Sequence, residues 1–298
     1  MKLPRRTFLH LAAGAAALPA VSCFAWAQAY PTRPVRLIEG FGAGGAPDII
    51  ARLIGQSLSE QLGQSFVIEN RSGASGNIAT DAVARASPDG YTLLLITSTT
   101  NAINTTLYDK LSFDFIRDIV PIASIARAPL VMEVHPSVPA RTVAEFIAYA
   151  KAIPGKVNMA SAGTLTQMAA EMFKMMAGLD LFHVPYRGAQ VFPALLAGEA
   201  QVYFGPLLSS IGYVRAGNLR ALAVTTTTRS DVLPDVPVLS DTLPDYEASA
   251  WFGIGAPKST PAELIERLNK EVNISIADPK FKARLANLGG TVLGRLAG

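Results

Sequence analysis

Cysteine is nearly missing from this 298-residue chain: Cys23 is the only one, and it lies close to the amino terminus. A mature chain that begins after residue 29 would carry no thiol, which excludes disulfides, zinc thiolates and cysteine nucleophiles. Histidine is scarce too, with only His135 and His183 beyond the first residues, and neither belongs to a metal-ligand motif. Each reads first as a packed or exposed structural residue. Charge makes up only 16% of the chain, and the net +3 is local. Residues 1–29 hold Lys2, Arg5 and Arg6 and no acid, so without them basic and acidic residues balance. The basic pI therefore gives no reason to expect nucleic acid as a partner. There is no G-x-S-x-G elbow, no H-E-x-x-H, no Walker loop, no heptad and no repeat. No catalytic constellation is visible and no cofactor is called for.

What is present at the start reads as a targeting segment. Arg5-Arg6-Thr7-Phe8-Leu9 precedes a weakly apolar run from Leu11 to Ala20, and Ala27-Gln28-Ala29 offers a small-x-small cleavage site. The paired arginines point to twin-arginine export, with general export as the alternative. A membrane anchor fits less well because the run is short, rich in Ala and Gly, and broken by Pro19. Ala20-Val21-Ser22 before Cys23 is a poor lipoprotein box, which leaves lipid anchoring as a minor alternative.

From Val35 onward, short continuous apolar runs alternate with amphipathic stretches, the mark of an α/β chain with a buried, largely parallel sheet. The expected strands are 35–38, 66–69, 91–97, 130–134, 157–160, 182–185, 201–204, 219–225 and 252–256. Thr142 with Glu145 and Thr260 with Glu263 both fit the capping box, with Pro261 tolerated in a first turn. Leu264, Leu268 and Val272 form one apolar stripe after Thr260. The Pro- and Asp-rich stretch from Asp231 to Asp245 is the best linker candidate.

The first strand runs into Gly40-Phe41-Gly42-Ala43-Gly44-Gly45-Ala46-Pro47-Asp48 and then a helix. Gly40, Gly42 and Gly45 fit G-x-G-x-x-G, and Glu69 stands where a ribose-binding acid would, so a nicotinamide- or flavin-dependent exported oxidoreductase is an alternative. Asp48 opposes it, because a carboxylate in the first helical turn repels a pyrophosphate that needs the same amides. The other readings are a tight turn with no ligand and a cradle of backbone N–H groups for one small anion. Recurrence favours the cradle. Other strands end in small neutral donors, at Thr97-Ser98-Thr99-Thr100-Asn101, at Ser161-Ala162-Gly163-Thr164, and at Gly188 after Tyr186. In open α/β sheets that edge holds ligands. Hydroxyls and amides without a Lys or Arg cluster suit a carboxylate. Tyr186 reads equally as core or site, Trp251 and Phe252 first as core and second as cleft lining, and Arg187 as a solvated charge.

With these loops in view the chain resembles the Bug family of periplasmic receptors, the TctC-like binding component of tripartite tricarboxylate transporters. The resemblance rests on Tyr30 to Arg36, Gly44 to Asp48, Glu69 to Asn77, Pro88 to Leu94, Ser161 to Gly163, His183 to Gly188, Leu219 to Thr225, Leu233 to Pro237 and Trp251 to Gly253, in that order. It implies a two-lobed, type II Venus-flytrap fold with a discontinuous first domain, residues 30–129 plus 229–298, and a second domain of residues 130–228. It further implies that a small organic carboxylate is gripped by the loop from Phe41 to Asp48 and by loops of both lobes, Ser98, Ser161, Gly163 and Thr164 matching such positions and Asp48 orienting water or a ligand donor. The expected ligand set is Phe41, Gly42, Gly44, Gly45, Ala46, Asp48, Ser98, Thr99, Asn101, Ser161, Ala162, Gly163, Thr164, Tyr186 and Gly188. A monomer serving a membrane permease is implied, with a sensor co-receptor lacking a permease as the alternative. Two departures stand out. Gly205-Pro206 replaces an acid common in relatives after the strand ending at Phe204, which weakens any expected ligand contact there. Relatives also continue past Leu288 into a turn and a further amphipathic helix where this chain has Leu293 to Gly298; if that helix covers the first lobe, its absence exposes apolar surface and predicts low stability or a rearranged carboxyl end.

Overall fold

A run such as Leu93, Leu94, Leu95 and Ile96, buried at every position, has both faces covered. That is why continuous rather than alternating hydrophobicity marks the strands of this protein. The computed structural model describes residues 30–293. Ten strands form one extended sheet: β1 (Val35–Glu39), β2 (Phe66–Asn70), β3 (Thr92–Thr97), β4 (Ile119–Val134), β5 (Asn158–Ser161), β6 (Phe182–Pro185), β7 (Val202–Pro206), β8 (Arg220–Val224), β9 (Ser249–Pro257) and β10 (Thr291–Val292). The helices of eight residues or more are α1 (Ala46–Leu62), α2 (Asn77–Ala84), α3 (Val143–Ala152), α4 (Thr164–Ala177), α5 (Leu207–Arg215), α6 (Ala262–Ala277) and α7 (Pro279–Asn287).

The strand order is β2-β1-β3-β9-β4-β7-β5-β6, with β8 and β10 also pairing with β4. The sheet is mixed, not parallel as expected. β2, β1 and β3 run parallel, as do β7, β5 and β6, but β9 is antiparallel to both β3 and β4, and β4 is antiparallel to β7 and β8. Burial on both faces produces the same unbroken apolar run in either direction, so the pattern alone cannot tell them apart. Strand β4 changes partners midway. Ile119 to Pro129 pairs with β9, and Leu130 to Val134 pairs with β7 and β8. One continuous strand thus ties together two sheet halves.

Helix α1 shows how sequence builds an element here. Gly45 precedes it, Pro47 fills a first-turn position where no N–H is needed, Ile50, Ile54 and Leu58 bury one stripe, and Gly63 ends it with φ of 67°. In α6, Leu268, Val272 and Ile276 do the same. The Thr142 cap is present, its Oγ1 accepting from the Glu145 amide at 3.1 Å, while the Glu145 carboxylate accepts from the Arg141 amide. The Thr260 cap is not. Its hydroxyl instead donates to the Pro257 carbonyl at 2.7 Å, and Pro261 takes the cap position of α6. The stretch from Asp231 to Asp245 is no free linker either. Leu239 within it and Tyr246 just past it are buried, the Pro237 carbonyl accepts from the Val224 amide, and the Tyr246 hydroxyl donates to the Ala169 carbonyl at 2.7 Å. Among the described residues no helix is long and apolar enough to cross a membrane. The expected targeting segment lies outside the described residues.

Candidate functional site

The parallel strands of both halves send their carboxyl ends toward one place. Loops after β1, β3, β5, β6 and β7 line one cavity, with about 560 Å³ of space between its walls when the open mouth is included. Three helices begin at its wall: α1 at Ala46, α4 beside Gly163, and α5 just after Pro206. Each helix start carries unpaired amides and the positive end of a backbone dipole. Among the described residues no Lys, Arg, His, Asp or Glu side chain lines the cavity. A small anion there would meet oriented amides rather than a counter-ion.

The expected residues divide into three groups. Phe41, Gly45, Ala46, Ser98, Thr99, Ala162, Gly163 and Gly188 line the cavity. Gly42 and Tyr186 instead face an adjoining chamber, which shares Phe41, Ala162, Gly163 and Gly188 with the first. The rest stand behind the wall. Asp48 accepts from the Gly44 amide at 3.0 Å, from Arg52 Nε at 2.9 Å and from Asn70 Nδ2 at 2.9 Å, and so shapes the loop it belongs to. Ser161 Oγ pairs with His183 Nε2 at 2.7 Å, Thr164 Oγ1 donates to Asn104 Oδ1 at 2.9 Å, and Asn101 sits beside a separate surface hollow.

The wall is more apolar than a lining of hydroxyls and amides. Pro47, Leu165, Ala189, Phe192, Tyr203, Pro206, Ala250 and Phe252 face the cavity. Of these, Pro47 belongs to the loop expected to grip the ligand, Phe252 was a second reading, and Pro206 stood where contact was expected to be weakened. Leu165 adjoins a loop already singled out. Phe192 and Tyr203 carry no such signal, since an aromatic facing a cavity looks in sequence like one facing the core. Among the hydroxyls, Thr97 bonds with Thr100, Thr166 with the Ala162 amide and Gly163 carbonyl, and Ser209 with the Pro206 carbonyl. Ser98 Oγ is buried and makes no hydrogen bond, which leaves it for a ligand.

Two buried acids support the first loop. Glu39, at the end of β1, accepts from the Phe41 amide at 2.8 Å and from the Asn70 side chain. Burial pushes its carboxyl up to about 7, against the hydrogen bonds from Phe41 and Asn70. Burial also disfavours ionised Asp48, but Arg52, the Gly44 amide and Asn70 outweigh it and hold Asp48 below its usual value. A third acid, Glu133 on β4, is fully buried beside the Ser210 hydroxyl, and burial pushes it up to about 8 against the effect of that hydroxyl. Glu39 and Glu133 were missed in the sequence; an acid inside an apolar strand run is the signal that would have found both.

The two halves touch around the cavity. The Phe41 ring lies so close to Gly163 that a β-carbon there would stand 3.3 Å from it, and Gly163 holds φ of +152°. A β-carbon on Gly188, at φ of +52°, would lie 3.0 Å from the Gly42 nitrogen.

Comparison with known proteins agrees with this architecture. The model of the tripartite tricarboxylate transporter family receptors matches residues 50–294. Protein BugT of Bordetella pertussis is 34% identical over 272 residues, covering 89% of this chain and 83% of BugT. The solved structure of R. palustris Rpa4515 with adipate superposes with a TM-score of 0.87 at 36% identity, covering 89% of this chain and 91% of that one. The periplasmic binding protein BugD superposes with a TM-score of 0.85 at 32% identity, covering 89% of each chain.

Proposed function

Because the chain belongs to the tripartite tricarboxylate transporter receptor family, solute-binding receptors and not enzymes, with the two-lobed periplasmic binding protein fold, we propose that it captures a small organic carboxylate in the cavity between its sheet halves. The observation that carries this reading is the convergence of three helix amino termini and the unpartnered, buried Ser98 hydroxyl on a cavity with no charged side chain. Oriented amides and the Ser98 hydroxyl stabilise a carboxylate by charge-assisted hydrogen bonds.

The lobes are residues 30–129 with 229–298, and residues 130–228, and they close on the acid. Thr164 to Asn104, Phe41 to Gly163 and Gly42 to Gly188 are the contacts that closure makes. The closed form is then presented as a monomer to a membrane permease of the tripartite type. Residues 1–29 serve as the export signal that delivers the chain to the periplasm.

A thermal-shift screen of residues 30–298 against mono- and dicarboxylates, with nicotinamide dinucleotides on the same plate, tests the reading. Ligand at about 100 times its Kd adds roughly 2.7 kcal/mol, which raises the midpoint by several degrees. A shift with a carboxylate supports the receptor; a shift with a dinucleotide alone overturns it in favour of an oxidoreductase.

A further inference from the structure

We propose that Arg187 recruits the acid: the carboxylate first enters the outer chamber beside the cavity, drawn there by the Arg187 guanidinium, and then moves past the Phe41 ring to its seat. The inference deepens the receptor reading and rests on it.

The chamber and the cavity differ in what they show to water. Every residue that lines the cavity is buried or half-buried, whereas Ser72, Ala74, Ile78 and Arg187 on the chamber wall are exposed. The chamber is also the roomier, with about 950 Å³ of space when its open mouth is included. The two share Phe41, Ala162, Gly163 and Gly188, so they adjoin along the Phe41 ring. Opposite edges of that ring rest on glycines from the two sheet halves. A β-carbon on Gly76, just before α2, would lie 3.4 Å from Phe41 Cε2, and one on Gly163, just before α4, would lie 3.3 Å from Cε1. With the halves together the ring stands between chamber and cavity. Parting them takes Gly163 away from Phe41 and joins the two spaces into one cleft that opens through the chamber.

The chamber wall carries a single charge, and it is positive. Arg187 lines the chamber and no Asp or Glu does. Arginines around the first loop are spoken for, Arg36 and Arg71 by Glu69 and Arg52 by Asp48, but among the described residues no acid pairs with Arg187. Its backbone is fixed all the same. The Tyr186 amide donates to the Ser161 carbonyl at 2.7 Å, and the Arg187 carbonyl accepts from the Gln190 amide at 3.1 Å. Ser72 and Ser75 share the chamber with it, and the positive end of the α2 dipole begins alongside at Asn77. An unpaired cation at the mouth of a cleft raises the local concentration of anions and speeds their arrival. Arg187 does not line the cavity, so it acts on association and not on the seated acid.

Stopped-flow mixing of residues 30–298 with the tightest-binding acid of the thermal-shift screen, adipate, malate, hexanoate and benzoate included, separates arrival from residence. The signal is the fluorescence of Trp251, the single tryptophan of that stretch and the chain neighbour of the lining residues Ala250 and Phe252, with surface plasmon resonance in its place if the tryptophan is silent. Arg187→Gln should lower kon about threefold at about 0.01 M salt and match wild type at about 1 M, where charges are screened within about 3 Å. Its koff should be unchanged, and Arg187→Lys should restore kon. Equal kon for wild type and Arg187→Gln at low salt, or a loss of affinity carried by koff, overturns the inference and leaves the receptor reading intact. If no acid in the screen binds, the receptor reading fails and this inference falls with it.

Discussion

Thr164 Oγ1 donates to Asn104 Oδ1 at 2.9 Å, joining the start of α4 in one sheet half to the loop beyond β3 in the other, with both residues buried. Asn104 is in turn fixed by donating to the Ser75 carbonyl and to Asn77 Oδ1. The contact can exist only when the halves are together. Replacing Thr164 by Val keeps the shape, removes the donor and strands a buried acceptor. The expected cost is about 1–2 kcal/mol, roughly a five- to thirtyfold loss of carboxylate affinity by calorimetry. Unchanged affinity would mean that this hydrogen bond does not contribute to closure.

Gly163→Ala acts on the same closure sterically. The added carbon would meet the Phe41 ring at 3.3 Å from a backbone with φ of +152°, where an L side chain is strained. At least tenfold weaker binding is expected, with far-ultraviolet circular dichroism unchanged. Wild-type affinity would show that Phe41 yields without cost.

Asp48→Ala tests loop support rather than direct contact. The Gly44 amide, Arg52 and Asn70 all lose their shared acceptor, so the loop from Phe41 to Ala46 loosens. Affinity should fall about tenfold with far-ultraviolet circular dichroism unchanged, and the melting midpoint of the ligand-free protein should fall as well, because three donors lose their acceptor. An affinity equal to wild type removes Asp48 from the account of the site.

Glu39 and Glu133 set a pH dependence whose sign follows from burial. Their folded-state values of about 7 and about 8 lie above the ordinary 4.5. The stability they lend is complete below the unfolded value and is lost as pH rises through the folded ones. Asp48, displaced downward, acts the other way, and its contribution is lost only as pH falls below its usual 3.8. Tm of the ligand-free protein should therefore decline between about pH 5 and pH 9. Glu133→Gln, which cannot ionise, should flatten much of that decline and raise Tm at the alkaline end. An identical slope in the variant would contradict a buried, protonated Glu133.

The strands were legible because continuous apolar runs such as 92–97 have no other use in a chain this size. The first half of β4 was not. Pro121, Arg127 and Pro129 interrupt it, and two register shifts against β9 accommodate the irregularity. β10, two residues long, carries no pattern at all. Strand direction was also hidden, as β9 shows, because burial on both faces erases the alternation that would mark an antiparallel strand. At the site, Phe41, Ser98 and Gly163 were legible from their place after strands. Phe192, Tyr203 and the buried Glu133 were not, because their roles depend on which sheet half packs against which.

The central claim is that a carboxylate sits where Ser98 and the amino terminus of α1 meet. A crystal structure of residues 30–298 with an acid from the thermal-shift screen tests it most directly. The account predicts carboxylate oxygens within hydrogen-bond distance of Ser98 Oγ and of a backbone amide at the start of α1, with the rest of the ligand against Phe192 and Tyr203. An acid found instead in the open groove lined by Arg127, Thr226 and Thr291, with the cavity holding none, would contradict it.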